Sequence, residues 1–87
     1  MGLIKLFVQE RCAKCPQAKQ LGTTLKEQGY TVMEFDVGTT EGLAEASFHS
    51  VQATPTFILE DDDENEVADF RGEVPGLDQI KEIMGNL

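Results

Sequence analysis

Cys12 and Cys15 are the only cysteines in the chain, and just Ala13 and Lys14 separate them. A bridge between them closes too small a loop to stabilise a secreted domain, so the pair points to reactivity. At this spacing the second sulfur reaches the first with little backbone movement. One thiol can attack a disulfide while the other releases the product. The pair falls between an apolar strand-like run, Leu3 to Val8, and a helical pattern in which Ala18, Leu21 and Leu25 recur until Gly29. Free N–H groups and the positive dipole end at a helix start favour an anion, and a thiolate is one. Arg11, Lys14, Lys19 and Lys26, four of the seven basic residues, lie in this segment. Cys12, nearer the exposed edge, is expected to be the nucleophile, and Cys15, deeper, the resolving thiol. Pro16 removes an N–H that would bond the Cys12 carbonyl, so a distorted first turn is expected.

A C-x-x-C pair can also be half of a zinc site or two small core residues. Mononuclear zinc needs two more ligands, and His49 is the only histidine. Carboxylates or a second chain would have to complete the site, or a cluster would have to bridge two subunits. No resident metal is expected. A binding module that uses the cysteines for a metal or iron–sulfur cluster is the alternative to redox chemistry.

The elements that must position the pair follow from patterning. Leu3 to Val8 is nearly continuously apolar, as in a strand buried on both faces. Thr31 to Asp36 forms a second strand, joined through the helix and therefore parallel to the first. Thr39 or Thr40 caps a short helix with Leu43, Ala44 and Ala46 as a weak apolar face. Thr56 to Leu59 is a central strand and Val67 to Phe70 an edge strand. The acidic stretch Glu60 to Glu66 between them reads as a solvated hairpin tip, since it lacks the glycine and spacing of a calcium loop. After Pro75 and Gly76 comes a last helix whose Leu77, Ile80, Ile83 and Met84 share one stripe. The order is βαβαββα. Lys5 is expected to pack its stem and send its amine to solvent. His49 reads as a helix-end residue, and Tyr30 and the five phenylalanines as core or core margin.

The 87 residues, 40% hydrophobic and 26% charged, suit one domain spanning 1–87. A net charge of -9 disfavours nucleic acid and anionic membrane as partners. No apolar run approaches the roughly 20 residues that span a bilayer. Leu6 stands where an N-myristoylation motif needs Ser or Thr. A cytoplasmic location and a monomer are the expectations.

Cys12-Ala13-Lys14-Cys15 after the first strand, together with Ala53-Thr54-Pro55-Thr56 before an apolar strand, resembles the thioredoxin and glutaredoxin superfamily, over nearly the whole chain. The resemblance implies an α/β thioredoxin-like fold with a four-stranded mixed sheet flanked by three helices. It also implies that Pro55 is cis beside the cysteines and that Thr54 offers its backbone to an extended substrate segment. Gly72 matches a glycine that keeps the backbone near the site uncluttered or adopts an unusual φ. The substrate-binding residues expected are thus Arg11, Lys14, Thr54, Pro55 and Gly72. The Ala-Lys centre is neither the Gly-Pro of thioredoxins nor the Pro-Tyr of glutaredoxins, and no Trp is present. Shortness looks glutaredoxin-like, whereas Arg71-Gly72-Glu73-Val74-Pro75-Gly76-Leu77-Asp78 replaces the Gly-Gly-acidic segment that holds glutathione. Small redoxins of archaea and anaerobes, and redoxins that reduce ribonucleotide reductase, are similar to the chain, and Pro16 suits the archaeal type. The implied activity is reduction of protein or small-molecule disulfides. It needs no bound cofactor, and glutathione or a thioredoxin-type reductase supplies the electrons.

Overall fold

A computed structural model describes residues 2–87. Its elements run β1 (Leu3–Val8), α1 (Cys15–Glu27), β2 (Val32–Asp36), α2 (Thr40–Phe48), β3 (Thr56–Glu60), β4 (Glu66–Arg71) and α3 (Leu77–Gly85). The sheet order is β2-β1-β3-β4, with β1 parallel to β2 and antiparallel to β3, and β3 antiparallel to β4. The two apolar runs, β1 and β3, take the centre because only there are both faces of a strand covered. The expected order and strand roles hold.

Alternation along β1 divides the core in two. Ile4, Leu6 and Val8 meet Phe57 and Leu59 of β3, Cys15, Ala18 and Leu25 of α1, and Ile80 and Met84 of α3. On the opposite face Phe7 and Ile58 pack with Ala46 of α2, bordered by Phe35, Val37 and Val51. Helices α1 and α3 therefore cover one face and α2 the other.

The second helix is capped by Thr39, whose side chain accepts the Gly42 N–H at 3.0 Å. Its buried face is Gly42, Ala46 and the C-cap His49; of the expected apolar face Ala46 is buried, whereas Leu43 and Ala44 point outward. Gly42 decides this rotation: a Cβ there would collide with the Asp36 carbonyl at the end of β2. The helix can approach the sheet this closely only along its glycine side. Phe48, expected in the core or at its margin, is 80% exposed and makes a T-shaped contact with the His49 ring, at 5.0 Å between centroids.

Two further expectations change. Glu60 is not in the hairpin tip but closes β3 and is buried, on the same sheet face as Ile58. Lys5, on the Phe7 face of β1, does not send its amine to solvent. Its Nζ lies 3.1 Å from Glu60 Oε2, 3.2 Å from Glu45 Oε2 and 3.1 Å from His49 Nε2. A central strand leaves its side chains no direct exit, so a charge there persists by finding partners on the elements above it. Burial pulls the Lys5 ammonium down, but its hydrogen bonds and charge pairing with Glu60 and Glu45 outweigh this and raise it above its ordinary value. The hairpin turn is organised by Asp61, which accepts the Asp63 and Asn65 N–H groups at 2.9 Å each.

Candidate active site

The chain leaves the C-terminal end of β1 at Val8 and reverses through Arg11, which sits in the left-handed region at φ 61°. It enters α1 with Lys14 at the N-cap and no side-chain cap. Cys15 is thus the first helical residue and Cys12 lies in the preceding turn, where its carbonyl accepts the Cys15 N–H at 3.2 Å. Pro16, at the second helical position, causes none of the expected distortion. The N–H it lacks would have had no partner within the helix, and Ala18 N–H bonds the Lys14 carbonyl normally at 3.0 Å.

Cys12 and Cys15 form a disulfide with their Cα atoms 5.3 Å apart. The two sulfurs differ in setting. Cys15 is 2% exposed within the apolar cluster of β1, β3 and the two helices, whereas Cys12 is only half-buried at its margin. An incoming group therefore reaches Cys12 first.

Across from the disulfide, the Thr54–Pro55 peptide bond is cis and Pro55 is buried. The loop that carries it is tied at both sides: Thr56 Oγ1 donates to the Ala53 carbonyl at 2.7 Å, and the Gly72 N–H donates to the Pro55 carbonyl at 2.8 Å. Among the described residues, the Thr54 amide and carbonyl have no backbone partner. An open cleft of about 410 Å³ joins the two segments, lined by Gln9, Cys12, Ala13, Lys14, Ala53, Thr54 and Gly72.

The fold thus gathers Cys12, Lys14, Thr54 and Gly72 around one cleft, with Cys15 and Pro55 buried behind it. Arg11 does not line it and serves the turn. Gly72 has φ 72°, and a Cβ there would make only ordinary contact with Ala53 at 3.4 Å. Backbone conformation, rather than clearance, is the main demand for glycine. Gln9 was not singled out from the sequence, and Ala53 was read as part of the Ala53-Thr54-Pro55-Thr56 motif but not as a site residue. The one available signal for Gln9 is its place just beyond the C-terminal end of a central strand, where open α/β sheets present their ligand sites. Among the described residues no group of three or more His, Cys, Asp or Glu is placed to hold a metal ion.

Comparison with known proteins accords with this geometry. The thioredoxin domain family model matches residues 3–85. The chain belongs to the thioredoxin family. A probable thioredoxin of Archaeoglobus fulgidus is 34% identical over 62 residues, covering 70% of this chain and 68% of that protein. A mutant thioredoxin from Halobacterium salinarum superposes with a TM-score of 0.83 at 26% identity, over 98% of this chain and 73% of the other. The solution structure of a thioredoxin from Thermus thermophilus gives 0.70 at 26% identity, over 98% and 72%. The thioredoxin-like fold expected from the two motifs is therefore present, and the Cys12–Cys15 disulfide within it supports a thiol–disulfide redox function. Thioredoxin-family proteins need no bound cofactor for this chemistry. Among the described residues no helix is long and apolar enough to cross a membrane.

Proposed function

We propose that this thioredoxin-family chain is a thiol–disulfide oxidoreductase that reduces disulfides of proteins and small molecules, with Cys12 as nucleophile and Cys15 as resolving thiol. The observation that carries the proposal is the asymmetry of the pair: Cys12 borders the cleft and Cys15 is buried behind it. In the reduced protein the Cys12 thiolate attacks one sulfur of the substrate disulfide and expels the other as a thiol. This leaves a mixed disulfide. Cys15, as thiolate, then attacks the Cys12 sulfur and expels the second substrate thiol, so the pair is oxidised while the substrate gains two electrons and two protons. The cycle closes when an external dithiol or thiol reduces Cys12–Cys15 again.

Lys14 at the cleft and the start of α1 favour the Cys12 anion, with Arg11 adding positive charge to the turn. An extended substrate segment pairs with the unpartnered Thr54 backbone, Pro55 shapes the wall beside the disulfide, and Gly72 leaves the cleft open on its far side. Main-chain pairing is tolerant of sequence, which suits a range of disulfide proteins, a ribonucleotide reductase among them. The electron source is glutathione or a thioredoxin-type reductase. The protein acts as a monomer in the cytoplasm.

The test is insulin reduction by wild type, Cys12→Ser and Cys15→Ser, with glutathione plus its reductase and thioredoxin reductase offered separately. The expected result is no turnover with Cys12→Ser and a trapped mixed disulfide with Cys15→Ser. The better electron source identifies the physiological one by class. A reduced wild type that exchanges with neither insulin nor a small disulfide refutes the proposal.

A further inference from the structure

We propose that Arg71 is a positioning residue for the substrate-binding loop, setting affinity for extended protein substrates without touching the disulfide. This rests on the oxidoreductase reading above. Arg71 is the last residue of β4 and pairs with Thr56 across the sheet. Its side chain turns to the end of α2, where Nη1 donates to the Ser50 carbonyl at 3.0 Å and Nη2 to the His49 carbonyl at 3.1 Å. Behind it, Nε pairs with Asp69 Oδ2 and Nη2 lies 3.7 Å from Glu66 Oε1. Carboxylates on its own strand thus hold the planar fork while its two tips grip consecutive carbonyls. These sit at the helix C-terminus, where carbonyls lack helical partners and the dipole favours a cation.

The grip acts on the loop that carries the cleft wall. Ser50 is a non-glycine residue at φ 56°, and the chain runs from it through Val51, Gln52 and Ala53 to Thr54. At the far end of the same loop, the next residue of the chain, Gly72, holds the Pro55 carbonyl by its N–H. Residues 71 and 72 therefore fasten both ends of the segment 49–55, one by side chain and one by backbone. Thr54 lies between them, its amide and carbonyl without a backbone partner among the described residues. A substrate strand can bond both groups only if the segment is held still, so a loose segment adds an ordering cost to each binding event. Cys12 and Cys15 lie on a different element and do not depend on this grip.

Other ties keep the fold when Arg71 is lost: the Val51 N–H bonds the Ala46 carbonyl at 2.7 Å, and Thr56 Oγ1 and buried Pro55 anchor the strand entrance. The effect should therefore appear in binding. The experiment compares wild type, Arg71→Met and Arg71→Lys with insulin and with hydroxyethyl disulfide, which is too small to pair with a backbone edge. Arg71→Met is expected to raise KM for insulin about tenfold, as for two lost hydrogen bonds, with kcat for insulin and kcat/KM for hydroxyethyl disulfide unchanged. Arg71→Lys keeps the charge but has one nitrogen for two carbonyls, and should recover only part of the loss. Amide exchange at residues 51–54 should quicken in step with KM. Unaltered insulin kinetics, a fall in kcat alone, or parallel losses on both disulfides would overturn the proposal. Should Arg71→Met not fold, Arg71→Lys decides by the same KM-against-kcat split. A wild type inert towards both disulfides overturns the underlying oxidoreductase reading, and this proposal with it.

Discussion

Replacing Lys5 with methionine removes an ammonium that faces two carboxylates and an imidazole nitrogen beneath α2. Its side chain is 13% exposed and that of Glu60 3%, while Glu45, at 35%, can turn to water when the lysine is gone. Glu60 cannot. Its Oε1 already lacks a hydrogen-bond partner among the described residues, so Oε2, 3.1 Å from Lys5 Nζ and 3.5 Å from His49 Nε2, carries the whole compensation for burying the charge. Losing one partner of a buried pair costs about 3–5 kcal/mol, because the remaining charge is left uncompensated. The lower figure applies here, since half of the Lys5 pairing is with the accessible Glu45. About 3 kcal/mol corresponds to a fall in Tm of roughly 12–24 °C for a domain of this size. In Lys5→Met/Glu60→Met both charges go together, and what remains is the lost donor to His49 Nε2, about 1 kcal/mol. The oxidised proteins are compared by thermal and urea unfolding, and the difference between the summed single variants and the double variant measures the coupling. A Lys5→Met cost below about 1 kcal/mol, or a double variant as unstable as the sum of the singles, would refute the idea that Glu60 is stranded.

Two further outcomes follow from the same cluster. Because the Lys5 ammonium is raised above its ordinary value of 10.5, its contribution to stability is fully present below that pH and is lost as pH rises through the higher folded value. The stability difference between oxidised wild type and Lys5→Met should therefore shrink in strongly alkaline solution, and a difference that stays constant there would contradict the pairing. An ammonium offers only donors, so a hydrogen bond across the 3.1 Å between Lys5 Nζ and His49 Nε2 requires the tautomer in which Nε2 accepts and the ring proton sits on Nδ1, facing Glu66, whereas the opposite tautomer would aim Nε2–H at Glu60 and Glu45. Nitrogen-15 correlation spectra of the imidazole should show the Nδ1–H tautomer in wild type, and an Nε2–H signal would show that Lys5 does not donate there.

Most of the architecture was legible in the sequence because burial leaves a periodic trace. Continuous apolar runs marked β1 and β3 as interior strands, and the 3.6-residue stripes of α1 and α3 named Ala18, Leu25, Ile80 and Met84 in advance. A threonine cap at 39 or 40 was legible from residue type and the helix that follows, and the structure selects Thr39. The α2 face was not, because a helix this short has too few apolar positions to fix its rotation. The choice fell to a close approach of Gly42 to Asp36 that no local pattern records.

The candidate site divides the same way. Residue type, spacing and order along the chain were enough to single out Cys12 and Cys15 and, through the resemblance, Thr54, Pro55 and Gly72, since chemistry of this kind needs particular atoms at particular separations. The deeper place of Cys15 was legible too, from its position at the helix start, whereas that Gln9 borders the cleft while Arg11 does not, and that Arg71 grips the His49 and Ser50 carbonyls, were decided only by the tertiary structure. The charges of Lys5 and Glu60 belong to that second group. A sequence shows that a residue is charged, but whether it meets water or a partner depends on which elements the sheet brings over it, and those lie 40 and more positions away along the chain.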